Sequence, residues 1–420
     1  MITRQDCLAL DASDPLAPLR EQFALPAGTI YLDGNSLGVL PRATPQRVAH
    51  MVQQEWGNDL IESWNKAGWI DLPLRIGDKI ARLVGADPGE LVAADSTSVN
   101  LFKVLTAALA IVQADAPERR VILSERGNFP TDLYIAEALA RVRGCELVLV
   151  DEPAEIDRQL AGGRVAVLML TQVNYRSGRL HDMAAVTRTA HRHGTLAVWD
   201  LAHSAGALPV SLKADGADFA VGCGYKYLNG GPGAPAFVWV HPRHAKRFWQ
   251  PLAGWMGHAA PFEFTPNYRP AAGISRYLCG TPPLLSMAAL ECGVDSVLAT
   301  EPLGGMAALR RKSLALTDLF IALVEERAAG HGLDVITPRE HHLRGSQVAL
   351  SHPAGAYAIV QALIARGVVG DFRAPDVLRF GFTPLYLRHV DVWDAVEHLQ
   401  QVLVNAEWHD VRFHRKAAVT

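Results

Sequence analysis

The sequence predicts an α/β protein, a mainly parallel sheet between helices, followed by a smaller α+β unit. Three observations predict it. From about residue 88 to 224, short apolar runs bounded by turn signals alternate with helical stretches, as buried strands and their crossover helices do. Several of these runs stop on polar residues, above all the run 196–199, which stops on Asp200. From residue 301 onward the chain instead reads as a long helix, two strands and two further helices. The expected division is an amino-terminal segment, 1–60, packing with the small unit, a large domain, 61–300, and a small carboxyl-terminal domain, 301–420.

Composition narrows the function classes. At 420 residues the chain is long for one core. Hydrophobic residues at 49% and charged residues at 20% describe an ordinary globular protein. A net charge of −3 offers no attraction for nucleic acid or an anionic membrane. The five cysteines are odd in number, scattered and without a CxxC pair, which argues against a disulfide framework or a zinc site and for a reducing compartment. The amino terminus has acids within its first dozen residues and no secretory pattern. No run approaches the roughly 18 apolar residues of a membrane helix. A cytoplasmic protein acting on a small molecule is expected.

In chain order, residues 1–28 read as a helical arm, and 29–32 as a short strand before the loop Asp33-Gly34-Asn35-Ser36-Leu37-Gly38. Between 44 and 60, Val48, Met51, Val52 and Trp56 fall at helical spacing and are expected to be mostly core. A helix over 74–84 stops near Gly85. A strand then ends at Asp95-Ser96-Thr97-Ser98, just before a helix over 99–112. Hydroxyls and free N–H groups at a helix start can hold an anion, although Ser and Thr there serve equally as plain caps. Strand 121–124 leads to a loop containing Phe129 and Asp132, helix 133–142 and strand 146–150. Phe129 could stack on a planar ligand, and Asp132 could simply favour the helix dipole. Strand 165–170 and a helix capped by Asp182 bring the chain to 196–199; His181, His191 and His193 are expected to be solvated. Strand 237–240 is expected to run antiparallel. The loop-rich, aromatic region 250–283 has the character of a functional or interfacial segment. The small unit follows as helix 306–328, strand 346–351, helix 357–366, strand 377–381 and helix 390–405. In that second strand Arg379 alternates with apolar residues, so it must meet an anion or point outward.

Asp200 ends one strand, and Tyr225-Lys226 follows the next, ahead of a Gly/Pro-rich turn. Such strand ends are where open α/β sheets bind ligands. This pair fits pyridoxal phosphate: the Lys forms the Schiff base, and the Asp keeps the pyridine nitrogen protonated. A capping Asp and a surface Lys would read the same from these two residues alone.

Taken together, YLDGNSLG, STSVN, NFPTD, NYRSG, WDLAHSAG, GYKYLNGGPG, GWMGH, CGTPP and LRFGFTPLY resemble the kynureninase family over almost the whole chain. Cysteine desulfurases differ, with His before the Lys and a catalytic Cys in a loop that this chain lacks. The resemblance implies the aspartate-aminotransferase-like fold (PLP fold type I) with a seven-stranded type of sheet, and a homodimer that shares its active sites. It implies hydrolysis of L-kynurenine to anthranilate and L-alanine in tryptophan degradation, with 3-hydroxykynurenine a poorer substrate. Lys226 would carry the cofactor, Asp200 would meet the pyridine nitrogen with His203 alongside, and Phe129 would stack on the ring near Asp132. Thr97, Ser98 and Tyr225 would hold the phosphate, completed by Trp255 and Thr281 from the partner subunit. Arg379 would grip the substrate carboxylate, with Ser36 and Trp64 lining the aryl end. Tyr225 is a candidate proton relay. Animal members carry Asn where this chain has Thr281, which implies the bacterial preference for L-kynurenine over its 3-hydroxy derivative.

Overall fold

The computed structural model describes residues 2–247 and 250–416. A short β1 (Ile30–Tyr31) precedes β2 (Leu91–Ala93), β3 (Val121–Glu125), β4 (Glu146–Val150), β5 (Val165–Thr171), β6 (Leu196–Asp200), β7 (Phe219–Gly222) and β8 (Phe237–Val240). β2 to β8 form one sheet in the order β2-β8-β7-β6-β5-β3-β4. The pairs among β3 to β7 are parallel, and β8 runs antiparallel to both β7 and β2. Both faces of this sheet are covered, which explains runs of apolar residues rather than alternation. Along β6, Ala197 and Trp199 join one apolar layer, with Ile76 and Ile80 of helix Leu72–Val84. Val198 joins the other, with Leu101, Val104 and Leu105 of helix Thr97–Asp115. That helix is long and apolar enough by composition to cross a membrane, an exception to the sequence expectation, but it is a core helix, most of its apolar stretch buried under the sheet.

The small unit contains β9 (Asp334–Val335), β10 (Gln347–Ser351), β11 (Val368–Val369), β12 (Asp371–Arg373) and β13 (Val377–Gly381). β12-β13-β10-β9 form an antiparallel sheet, and β11 pairs in parallel with β1. The amino-terminal helix Arg4–Ala12 is closed by a capping box from Thr3. It rests on helix His389–Val404, with Arg4 paired to Asp394 at 2.8 Å and Asp11 accepting from the backbone N–H of His389 and Val390.

Two expectations fail for local reasons. The helix starting at Thr44 is α-helical only to His50; residues Met51–Asp59 wind as a π-helix. The wider turn breaks the 3.6-residue register. Met51 is buried, but Val52 and Trp56 stand 38% and 57% exposed, while the charged Glu55 turns inward to accept from Arg47 and from Trp69 Nε1, each at 2.7 Å. His181 is not solvated: it is buried against Glu125 at 3.0 Å. His191 bonds Asp218 at 2.8 Å.

Candidate active site

The carboxyl ends of β3, β5, β6 and β7 share one edge because those strands are parallel. Register aligns Thr171, Asp200 and Val221 across three of them. A cavity of about 130 Å³ opens there, lined by Ser96, Thr97, Ser98, Phe129, Thr131, Asp132, Thr171, Tyr175, Asp200, Ala202, His203, Cys223, Tyr225 and Lys226.

Asp200 is 4% exposed and accepts from the Ala202 N–H at 2.8 Å. Burial raises its pKa, opposed by the charge of Lys226. Asp132, in the first turn of helix Pro130–Arg143, is also buried, and its Oδ2 has no hydrogen-bond partner. Burial first, then the neighbouring Asp200, lifts Asp132 well above the ordinary carboxylate range. Two buried carboxyls side by side cannot both ionise at low cost. One proton, or one cationic N–H donor, completes the pair. In the same lining, Lys226 Nζ stands 3.1 Å from His203 Nε2. Burial and the Lys226 charge drive His203 well below its usual pKa, so it is neutral near pH 7. Burial pushes the Tyr225 phenol up to about 12, so it keeps its proton.

The mouth of this cavity includes a helix start. Ser96 is the N-cap, its Oγ accepting from Val99 N–H at 3.3 Å, and Thr97 and Ser98 are the first helical residues. Asp95, just before, adopts φ 48°, which turns the chain sharply from strand to helix. Hydroxyls and the positive helix end together suit an anion such as a phosphate. Phe129 is held by its neighbour Asn128, whose side-chain oxygen accepts from Phe129 N–H at 2.7 Å and from the Thr171 hydroxyl. The Phe129 ring meets Tyr175 edge-on, centroids 5.3 Å apart. A planar, anionic aldehyde bearing a basic ring nitrogen fits this lining. In such a fit Asp200 would face the nitrogen, residues 96–98 the phosphate, Phe129 the ring face and Lys226 the aldehyde.

Arg379, Ser36, Trp64, Trp255 and Thr281 do not line this cavity. Arg379 is buried beside it on β13 and holds Asp371 through two N–H bonds, at 2.9 and 2.5 Å. Ser36 lies on the same guanidinium at 2.8 Å rather than on an apolar wall. Trp64 and Trp255 meet edge-on at 5.9 Å in a separate, open apolar pocket with Ile61, Phe262 and Phe264. Thr281 is exposed. Sequence reasoning missed Asn128, Thr171 and Tyr175. Thr171 could have been found as the polar residue that ends strand 165–170, the signal that singled out Asp200.

The comparisons with known proteins agree with this geometry. The family model for the kynureninase C-terminal domain matches residues 309–399. A kynureninase from Burkholderia pseudomallei (strain K96243) is 58% identical over 422 aligned positions, covering 100% of both chains. One from Pseudomonas fluorescens is 57% identical over the same span. Among solved structures, a C-DES mutant with glycine covalently linked to its PLP cofactor superposes with a TM-score of 0.79 at 17% identity, covering 91% of this chain and 98% of that one. A cysteine desulfurase from Thermococcus onnurineus NA1, solved in the apo form, gives 0.77 at 16% identity, covering 92% and 98%. These structures share the fold, the PLP fold type I architecture, and their low identity carries nothing further. Identity above one half from end to end is another matter, and with the family model it shows that this chain belongs to the kynureninase family.

Proposed function

We propose that this protein is a pyridoxal-phosphate-dependent hydrolase that cleaves the Cβ–Cγ bond of L-kynurenine, giving anthranilate and L-alanine. 3-Hydroxykynurenine would be a poorer substrate. The carrying observation is the set of buried Asp200, Asp132 and His203 with half-buried Lys226 at the carboxyl edge of the sheet, in a chain so similar to kynureninases throughout. Bound there, pyridoxal phosphate supplies an electron sink for the pair left when the substrate loses its α-proton. Lys226 would hold the cofactor at rest and, once displaced by the substrate amine, remove that proton at Nζ. Neutral His203, 3.1 Å from Nζ, can accept a hydrogen bond from it and orient the amine. Asp200 would keep the ring nitrogen protonated. Water is added across Cβ–Cγ: the aryl carbonyl leaves as the carboxylate of anthranilate, and Cβ takes a proton to become the methyl of alanine. Tyr225, with its phenol proton retained, is the proposed donor in that step.

Adding L-kynurenine to the PLP-loaded protein should consume the substrate band and release fluorescent anthranilate with stoichiometric alanine. A keto acid in place of anthranilate would identify an aminotransferase and overturn the reading. Tyr225→Phe is expected to bind cofactor and substrate normally and lose about 10²-fold in kcat; unchanged turnover would remove Tyr225 from the mechanism.

The same reading takes the protein as a cytoplasmic homodimer of tryptophan catabolism, with Trp255 and Thr281 completing the partner's phosphate site and Trp64 facing the aryl group. Supporting it, Trp56, Leu60, Ile61, Phe262 and Phe264 are all 57–76% exposed, with Trp64 and Trp255 beside them. Such apolar exposure marks an association surface. The pairing of β1 with β11 supports counting segment 1–60 with the small domain, 301–420, apart from the large domain, 61–300.

A further inference from the structure

Arg379 has almost no donors left to give. Its Nε donates to Asp371 Oδ1 at 2.9 Å, and Nη2 donates to Asp371 Oδ2 at 2.5 Å and to Ser36 Oγ at 2.8 Å. Its Nη1 donates to the Tyr175 carbonyl at 2.6 Å. A guanidinium carries five N–H groups, so a single one, on Nη1, remains. A carboxylate gripped in a fork needs two parallel donors. Arg379 could supply a fork only by releasing one of the partners that fix it.

A second guanidinium stands on the same counter-ion. Arg373 Nη2 lies 2.7 Å from Asp371 Oδ2. Residues 371 and 373 are two apart on β12, hence on one face of the sheet, and Asp371 is the cross-strand partner of Arg379. The Arg373 side chain is 36% exposed, against 2% for Arg379 and Asp371. Of the two cations, Arg373 is the accessible one. Its charge reaches the cavity lining, where it disfavours protonation of His203 and lowers Tyr225 against the upward push of burial. Burial and then Arg379 depress Arg373's own pKa, so Asp371 leaves it under-compensated. The other carboxyl here, Asp33, is raised to about 7 by burial and by Asp371, so below neutral pH it adds little negative charge. Below neutral pH, two guanidiniums against one carboxylate leave one positive charge beside the cavity, the complement of one substrate carboxylate.

We propose that Arg373 binds the substrate α-carboxylate jointly with the remaining Nη1 N–H of Arg379, Asp371 holding the two guanidiniums in place. The proposal rests on the amino-acid substrate read above. It makes Arg373 a binding residue for the α-carboxylate and Asp371 a positioning residue.

The test uses the full-length, PLP-loaded protein and two probes, L-alanine and its neutral amide, L-alaninamide, titrated by the change in cofactor absorbance. Arg373→Met is expected to weaken L-alanine about ten-fold or more and to raise KM for L-kynurenine similarly, with kcat little changed. L-Alaninamide should bind the variant and the parent alike. Arg373→Lys, which keeps the charge without the fork, should recover part of the loss and serves as the folded control. Equal losses for acid and amide, or an unchanged affinity for the acid, would overturn the proposal. A parent protein that distinguishes acid from amide through Arg373 yet releases no anthranilate would sink the kynurenine reading and leave this assignment standing.

Discussion

Lys226→Ala is expected to reduce turnover of L-kynurenine by at least about 10³-fold, the scale on which a positioned proton-transfer group acts. Two proposed functions would go at once, the covalent anchor of the cofactor and the base for the α-proton. The variant should fold normally, because Lys226 is only half-buried and its side-chain bond is to His203. Pyridoxal phosphate should still bind, since residues 96–98, Phe129 and Asp200 remain. Borohydride reduction followed by mass measurement separates the two effects: the parent should gain one cofactor covalently and the variant none. Loss of the Lys226 charge should also raise Asp132 and Asp200 further, because that charge now works against their burial. Appreciable turnover by Lys226→Ala would refute its assignment.

The largest stability effect is expected far from this site. Asp218, at the amino end of β7, is 1% exposed and accepts from the Ala197 N–H at 2.7 Å, His191 at 2.8 Å, His244 at 2.7 Å and the Arg243 guanidinium. Burial alone would raise its pKa, but the bonds from His191 and His244 and the charge of Arg243 pull it below the ordinary carboxylate range. Asp218→Ala should destabilise the fold by about 3 kcal/mol, as removing one member of a buried ion pair does, and leave kcat unchanged. The pH sign follows from linkage. A depressed folded pKa contributes stability that is present above the unfolded value of about 3.9 and is lost as pH falls through the folded one. The gap between parent and variant in denaturant midpoint should therefore hold steady above pH ~5 and close only in stronger acid. A gap that vanished already near neutrality would refute the assignment to Asp218.

What could be read in advance divides along physical lines. Strands β4, β8 and β13 carry the bounds the apolar runs suggested, because buried strands are local in sequence. Asp200, His203, Tyr225, Lys226, Phe129, Asp132, Thr97 and Ser98 line a single cavity because each ends or follows a strand, or opens a helix, at one edge of the sheet. The commitment of Arg379 to Asp371 was hidden: the two are eight residues apart, and only antiparallel pairing sets them face to face. Asp218 gathers its partners from a helix end, a strand and a turn, with no common spacing. Val52 and Trp56 fit a helical period that the chain abandons at Met51. Trp64 and Trp255 line a separate apolar pocket and Thr281 is exposed, so the roles proposed for them need a second molecule, which a single chain's pattern does not contain.

The clasp of residues 4–31 onto residues 312–394 also bears on how the protein is made. Arg4, Asp11 and Asp14 are translated long before the residues they meet: Arg4 and Asp11 pair with Asp394 and His389, Asp14 with Lys312, and β1 zips onto Val368–Val369. These are contacts across more than 290 residues of sequence, the kind whose loop closure slows folding most. During synthesis these residues lack the partners they settle on until residues 312–394 have been made. The sheet built from residues 91–240 can form meanwhile from local crossovers, and a stretch translated late closes onto one translated early.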